Sequence, residues 1–126
     1  MPNQKNIVKL EDLNDRLSKA KSIYFTDYLG LNVSDVTSLR KMFYNNNVDY
    51  VVVKNTLLKI ASEQNKLNLG AELFSGSTAI AISYDEPVVA AKIIKRFLKD
   101  NDLPTIKGIF FEGSYLHASE FEKIAS

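Results

Sequence analysis

Short apolar runs of strand type alternate with stretches of helical period along nearly all of this 126-residue chain, and the alternation leaves few architectures open. Between residues 6 and 20, Ile7, Leu10, Leu13 and Leu17 recur at spacings of three and four, which predicts an amphipathic helix. Ser22 to Tyr28 is rich in aromatic and β-branched residues and is stopped by Gly30, so it reads as a strand. Asn32 or Ser34 can cap a second helix whose buried stripe is Val36, Leu39, Met42 and Phe43, and Asn45 to Asn47 end it. Tyr50 to Val53 is a second strand, after which Asn55 can cap a third helix with Leu57, Leu58, Ile60 and Ala61 inward. Ser75 to Ser77 form a turn and Thr78 to Tyr84 a third strand. Pro87 suits the first turn of a fourth helix with Val88, Ala91, Ile94, Phe97 and Leu98 inward. Thr105 to Phe111 is the last strand, ended by Gly113, and Ala118 to Ala125 starts a further helical pattern.

These elements predict an α/β (α+β) two-layer sandwich: a ferredoxin-like plait of about four strands, with helices two to four as connections and extra helices added. Strand order and direction do not follow from periodicity. The length suits a single domain over residues 1–126. No apolar run approaches the roughly 20 residues of a membrane-spanning helix, and residues 1–10 lack the apolar stretch of a secretory signal, which points to a soluble, cytoplasmic protein. With no cysteine, disulfides, thiolate chemistry and sulfur-ligated zinc are excluded. The charge is unevenly spread: residues 1–66 carry 10 Lys and Arg against 7 Asp and Glu, whereas residues 67–126 carry 6 against 8. A polyanionic partner would meet the first half.

Lys54, Asn55, Thr56 and Lys59 lie where the second strand feeds the third helix, so free backbone N–H groups, the helix dipole and two ammonium groups can converge on a phosphate. The competing reading is a capping Asn55 flanked by solvated lysines. Lys92, Lys95, Arg96 and Lys99 share one face of the fourth helix, as a basic strip for RNA or as its solvated side; the latter is the commoner use of such a face. Lys5 and Lys9 stand at the head of the first helix, where Glu11, Asp12 and Asp15 dilute any single-sign patch. The turn at Ser75-Gly76-Ser77-Thr78 lacks the Gly-Lys-Ser/Thr ending of a phosphate-binding loop and precedes a strand. His117, the sole histidine, has no second ligand or catalytic partner in the pattern, and the carboxylate pairs Asp85-Glu86 and Asp100-Asp102 lie at helix ends. No catalytic residue, metal ligand or cofactor is assigned. The aromatic residues, Phe110 among them, fall largely in core patterns, and Tyr28 is the least committed to packing.

The blocks Tyr28-Leu29-Gly30-Leu31-Asn32-Val33, Leu39-Arg40-Lys41 and Val51-Val52-Val53-Lys54-Asn55-Thr56-Leu57-Leu58 resemble the signature of the ribosomal protein L ten family. Phe74 to Ala81, the helix from Pro87 to Lys99, and Ile106-Lys107-Gly108 through Phe111-Glu112-Gly113 follow in the family's order. The resemblance implies a non-enzymatic constituent of the large ribosomal subunit. It implies binding to large-subunit rRNA at the stalk base, beside ribosomal protein L eleven and near the region serving translational GTPases. The implied rRNA-binding set is Lys54, Asn55, Thr56, Lys59, Tyr28, Gly30, Arg40, Lys5 and Lys9, with no membrane and no small-molecule substrate. Family members continue into a long helix that carries dimers of the protein L twelve, and this sequence stops at Ser126, so L twelve recruitment is not expected of it. Leu29 departs from the arginine that many relatives have before the glycine.

Two other readings compete. An RNA-recognition-motif protein would share the plait, but Lys107-Gly108-Ile109-Phe110-Phe111 only partly follows the alternating aromatics that motif needs. A small ligand-binding or enzymatic plait would need a constellation of base, nucleophile and oxyanion donors that the sequence does not offer.

Overall fold

The computed structural model describes residues 9–27, 32–67, 69–74, 78–101 and 105–125. Among the described residues, five helices and five strands alternate much as the hydrophobic pattern requires. They are α1 (Leu10–Lys19), β1 (Ser22–Asp27), α2 (Val33–Tyr44), β2 (Val48–Val53), α3 (Asn55–Gln64), β3 (Thr78–Ser83), α4 (Val89–Leu98), β4 (Thr105–Phe111), β5 (Ser114–His117) and α5 (Phe121–Ala125). A 3₁₀ turn, Ala71–Phe74, precedes β3, and another, Ala118–Glu120, precedes α5.

The strands form one sheet in the order β2-β3-β1-β4-β5, every neighbouring pair antiparallel. Hence β1 and β2 run the same way with β3 between them, and β3 and β4 run the same way with β1 between them. Two interleaved βαβ passes of this kind are the ferredoxin-like plait expected from the sequence. Its two layers are the sheet and the helices α2 and α4; β5, α1, α3 and α5 are additions.

Alternation along each strand divides the apolar residues between the two faces. Tyr24, Tyr50, Ala79, Ala81 and Ile109 face Leu39 and Phe43 of α2, Ala91, Ile94 and Phe97 of α4, and Phe121 of α5. Ile23, Phe25, Val53, Ile80 and Ile82 face Leu13 and Leu17 of α1, Leu58 and Ala61 of α3, and Leu73 of the 3₁₀ turn. The central strands β1 and β3 are therefore covered on both sides, and all of Thr78–Ser83 is buried. Within the first core the hydroxyl of Tyr24 donates to the Pro87 carbonyl at 2.5 Å, which satisfies a polar group with no access to water. Along α1, Arg16 pairs with Asp12 of its own helix at 3.1 Å and reaches Asp49 of β2 at 2.6 Å, while the Tyr84 hydroxyl donates to the same Asp49 carboxylate at 2.7 Å. Burial, and then the bond to Asp49, push the Tyr84 phenol far above its ordinary value.

Local chemistry sets the element ends. Asn32 caps α2, its side chain accepting from the Asp35 N–H at 2.8 Å, and Asn47 takes the left-handed backbone (φ 60°) before β2. The strand β5 has no counterpart in the hydrophobic pattern. It pairs with β4 through a two-residue hairpin in which Glu112 (φ 47°) and Gly113 (φ 92°) both adopt positive φ, the primed turn whose twist suits a hairpin. Pro87 lies in the turn leading into α4, and regular helix begins at Val89.

Candidate nucleic-acid interface

The edge of the sheet at which β2 ends and β3 begins carries the strongest candidate. Val53 is paired with Thr78, and the chain leaves β2 through Lys54 straight into α3, so the helix starts at the sheet margin. Lys54 is the N-cap, in extended backbone (φ −77°, ψ 139°), and its own side chain makes no capping hydrogen bond. Its first N–H groups point away from the helix body and the positive end of the macrodipole lies there. Lys54, Thr56 and Lys59 are exposed. An anion approaching this turn meets two ammonium groups and the positive end of the helix dipole together.

Asn55 does not fill the capping role expected of it. It is the first residue of α3, and its Oδ1 instead accepts from the Thr78 hydroxyl at 2.6 Å. Thr78, 1% exposed, in turn accepts from the Lys107 ammonium at 2.8 Å. Lys107 reaches this position through an irregularity: Phe25 pairs with Gly108 and Thr26 with Ile106, so Lys107 is the extra residue of a β-bulge in β4. Desolvation lowers the Lys107 ammonium from its ordinary value, and Asp27 acts in the opposite direction. A third cation thus stands behind the start of α3, coupled to it through Thr78 and Asn55. Only the bulge creates this arrangement, and a bulge has no signature in the hydrophobic pattern of Thr105 to Phe111.

The other candidate residues are dispersed. Arg40 lies on α2, which packs against the opposite face of the sheet from α3. Lys9 is the exposed N-cap of α1, in extended backbone. Tyr28, Gly30 and Lys5 lie outside the described residues, as do Leu29 and Ser75 to Ser77. Lys92 and Arg96 on α4 and Lys99 at its C-cap are exposed, and Lys95 lies 3.6 Å from Glu122 of α5. Among the described residues, no group of three or more His, Asp or Glu side chains is placed to hold a metal ion, and no helix is long and apolar enough to cross a membrane.

Comparison with known proteins bears on the same segment. Residues 1–99 match the family described as Ribosomal protein L10, a span that includes α3 and its basic first turn. The chain is 40% identical over 125 residues to the large ribosomal subunit protein uL10 of Corynebacterium jeikeium, covering 99% of this chain and 72% of that protein. It is 39% identical to uL10 of Prosthecochloris aestuarii, covering 100% and 74%, and 37% identical to uL10 of Geotalea uraniireducens, covering 90% and 66%. The chain thus spans about two thirds to three quarters of the length of these relatives. With a family match over most of its length and relatives of this identity along nearly all of it, the chain belongs to the ribosomal protein L10 family of the large ribosomal subunit.

Proposed function

We propose that this chain is a structural component of the large ribosomal subunit that binds large-subunit rRNA at the stalk base, beside ribosomal protein L eleven and near the site of translational GTPases, and that it catalyses no reaction. The observation that carries the reading is the first turn of α3, where Lys54 and Lys59 stand exposed beside the helix N-terminus and the positive end of its dipole. Phosphate contacts of this kind supply affinity and register, and each adds to the salt dependence of binding. Lys107, behind Thr78, adds positive potential at the same margin.

The test is a titration against a stalk-base rRNA fragment at several salt concentrations. Lys54→Ala is expected to weaken binding by roughly 1.5–3 kcal/mol, the contribution of a charge-assisted hydrogen bond. It should also flatten the logarithmic salt dependence by about one unit. Lys99→Ala, on the solvated side of α4, is the control and is expected to change little. A larger loss with Lys99→Ala than with Lys54→Ala would move the RNA-facing surface to α4.

A further inference from the structure

We infer that the β4–β5 hairpin holds a second kind of RNA contact, a cavity that takes one unpaired base by stacking, in addition to the phosphate contact at α3; this rests on the RNA-binding reading above. The cavity, of about 550 Å³, is lined by Phe110, Tyr115, His117 and Lys66 among others. That volume lies within the range of small-molecule sites and accommodates a nucleotide. Phe110 and Tyr115 are directly paired across β4 and β5, and Tyr115 and His117, two residues apart on β5, share a face of the sheet. Their rings meet edge to face at 5.7 Å and 77°. Phe110 and Tyr115 remain half-buried and His117 is exposed, so three aromatic surfaces line one opening.

Two features fix the Tyr115 ring and Lys66 in place around the opening. The first is Gly108, opposite His117: a Cβ there would lie 2.6 Å from the Tyr115 hydroxyl oxygen and 2.7 Å from Leu73 Cδ2. The missing side chain is what lets the Tyr115 ring lie over the strand. The second is Lys66, which follows α3 at φ 57°, a left-handed position that ordinarily goes to Gly or Asn at a helix end. The Leu67 N–H closes the helix end onto the Ser62 carbonyl at 2.8 Å, which fixes Lys66 in place beside the cavity. Aromatic faces with one cation at the rim match a base and its phosphate: the rings take the π-face of any base and the ammonium takes the backbone charge. The cavity lies on the same face of the sheet as α3. Leu73 stands between, its side chain beside Gly108 and its carbonyl 3.4 Å from the Thr78 hydroxyl. A single strand leaving the α3 turn can therefore reach it.

The experiment has two arms. In the first, amide chemical shifts of the 15N-labelled protein are followed while a tetra-adenylate RNA or free AMP is added. The tetranucleotide is expected to move the amides of Lys66, Phe110 and Ser114 to His117, and AMP to do so only at far higher concentration. Unmoved amides, or AMP binding as tightly as the tetranucleotide, overturn the inference. In the second arm a stalk-base rRNA fragment is titrated with Tyr115→Leu, His117→Ala and Tyr115→Phe, with circular dichroism confirming the fold. Loss of one stacked base is expected to weaken binding about 5- to 150-fold. The salt slope should be unchanged, since no phosphate contact is lost, and Tyr115→Phe should retain wild-type affinity. If the fragment binds and Tyr115→Leu and His117→Ala both match wild type, the stacking site is wrong and the ribosomal reading stands. If the fragment fails to bind while the tetranucleotide still moves the cavity amides, the ribosomal reading is wrong and the stacking site stands.

Discussion

Tyr24 illustrates how much a single buried polar group controls. It is fully buried, its ring meets Phe121 edge to face at 6.4 Å, and its hydroxyl is held by the Pro87 carbonyl. Burial pushes the phenol from an ordinary value of 10 up to about 12, because a phenolate in that core would lack both water and a cation. The folded state thus holds its proton more tightly than the unfolded chain. The associated stability is fully present below pH 10 and is lost as pH rises from about 10 to about 12. At about 1.4 kcal/mol per pH unit, up to roughly 3 kcal/mol is at stake. Tyr24→Phe is expected to remove this contribution and leave a shallower alkaline loss of stability. The urea midpoint measured between pH 8 and 11.5 checks it, and parallel curves for wild type and variant would show that the tyrosine does not control that limb. Residue-level reading of the sequence placed Tyr24 in the core, but its partner Pro87 lies 63 positions away and could not be read.

At the scale of elements, legibility tracked the strength of the local signal. The helices whose apolar residues recur at three and four, and the strands with β-branched or aromatic runs, are where the pattern puts them, except that α1 begins at Leu10, after an extended Lys9, and that Ile60, expected inward on α3, is exposed. A cap at Asn32 or Ser34 is readable because Asn and Ser before a periodic stretch commonly cap, and Asn32 takes the role. Asn55 carries the same signal and departs from it, since Thr78 draws off its oxygen, and that contact is made by the tertiary fold. The strand β5 escaped because four residues give no usable alternation and its turn is Glu-Gly where Asn-Gly would have announced a hairpin. Two substitutions test these assignments. Asn32→Ala should cost about 1 kcal/mol by leaving the Asp35 N–H without its acceptor. Glu112→Asn should stabilise by several tenths of a kcal/mol, because Asn tolerates φ 47° better than Glu does. Thermal denaturation reads both, and a Glu112→Asn protein that melts below wild type would refute the primed turn.

For the whole molecule, what the sequence left open was the order of the strands, because pairings such as Val53 with Thr78 or Ser22 with Phe111 join distant segments. The same limit applies to the proposed interface: the Lys54 turn is contiguous in sequence and can be read there as a candidate, whereas Lys107 and the aromatic cavity are assembled by β-pairing. Strand order also dictates how the molecule should unfold. The two apolar cores lie on opposite faces of one sheet, and β1 and β3 contribute to both through alternate residues. Neither core can therefore dissolve without uncovering strands that the other needs, and the chain should unfold as one cooperative unit. Leu39 and Leu58, both fully buried, belong to different cores, so their side chains pack against different neighbours. Leu39→Ala and Leu58→Ala should each cost roughly 2–5 kcal/mol. Lacking shared partners, they should add within about 0.5 kcal/mol in the double variant, or in a double variant made with the milder Leu→Val if Ala leaves too little folded protein. Urea unfolding followed by far-ultraviolet circular dichroism and by tyrosine fluorescence gives the midpoints and slopes. Coincident transitions with additive losses are expected. A coupling well above 0.5 kcal/mol would mean that the two faces share packing through the sheet, and two separated transitions would mean that one layer of helices can leave while the other holds.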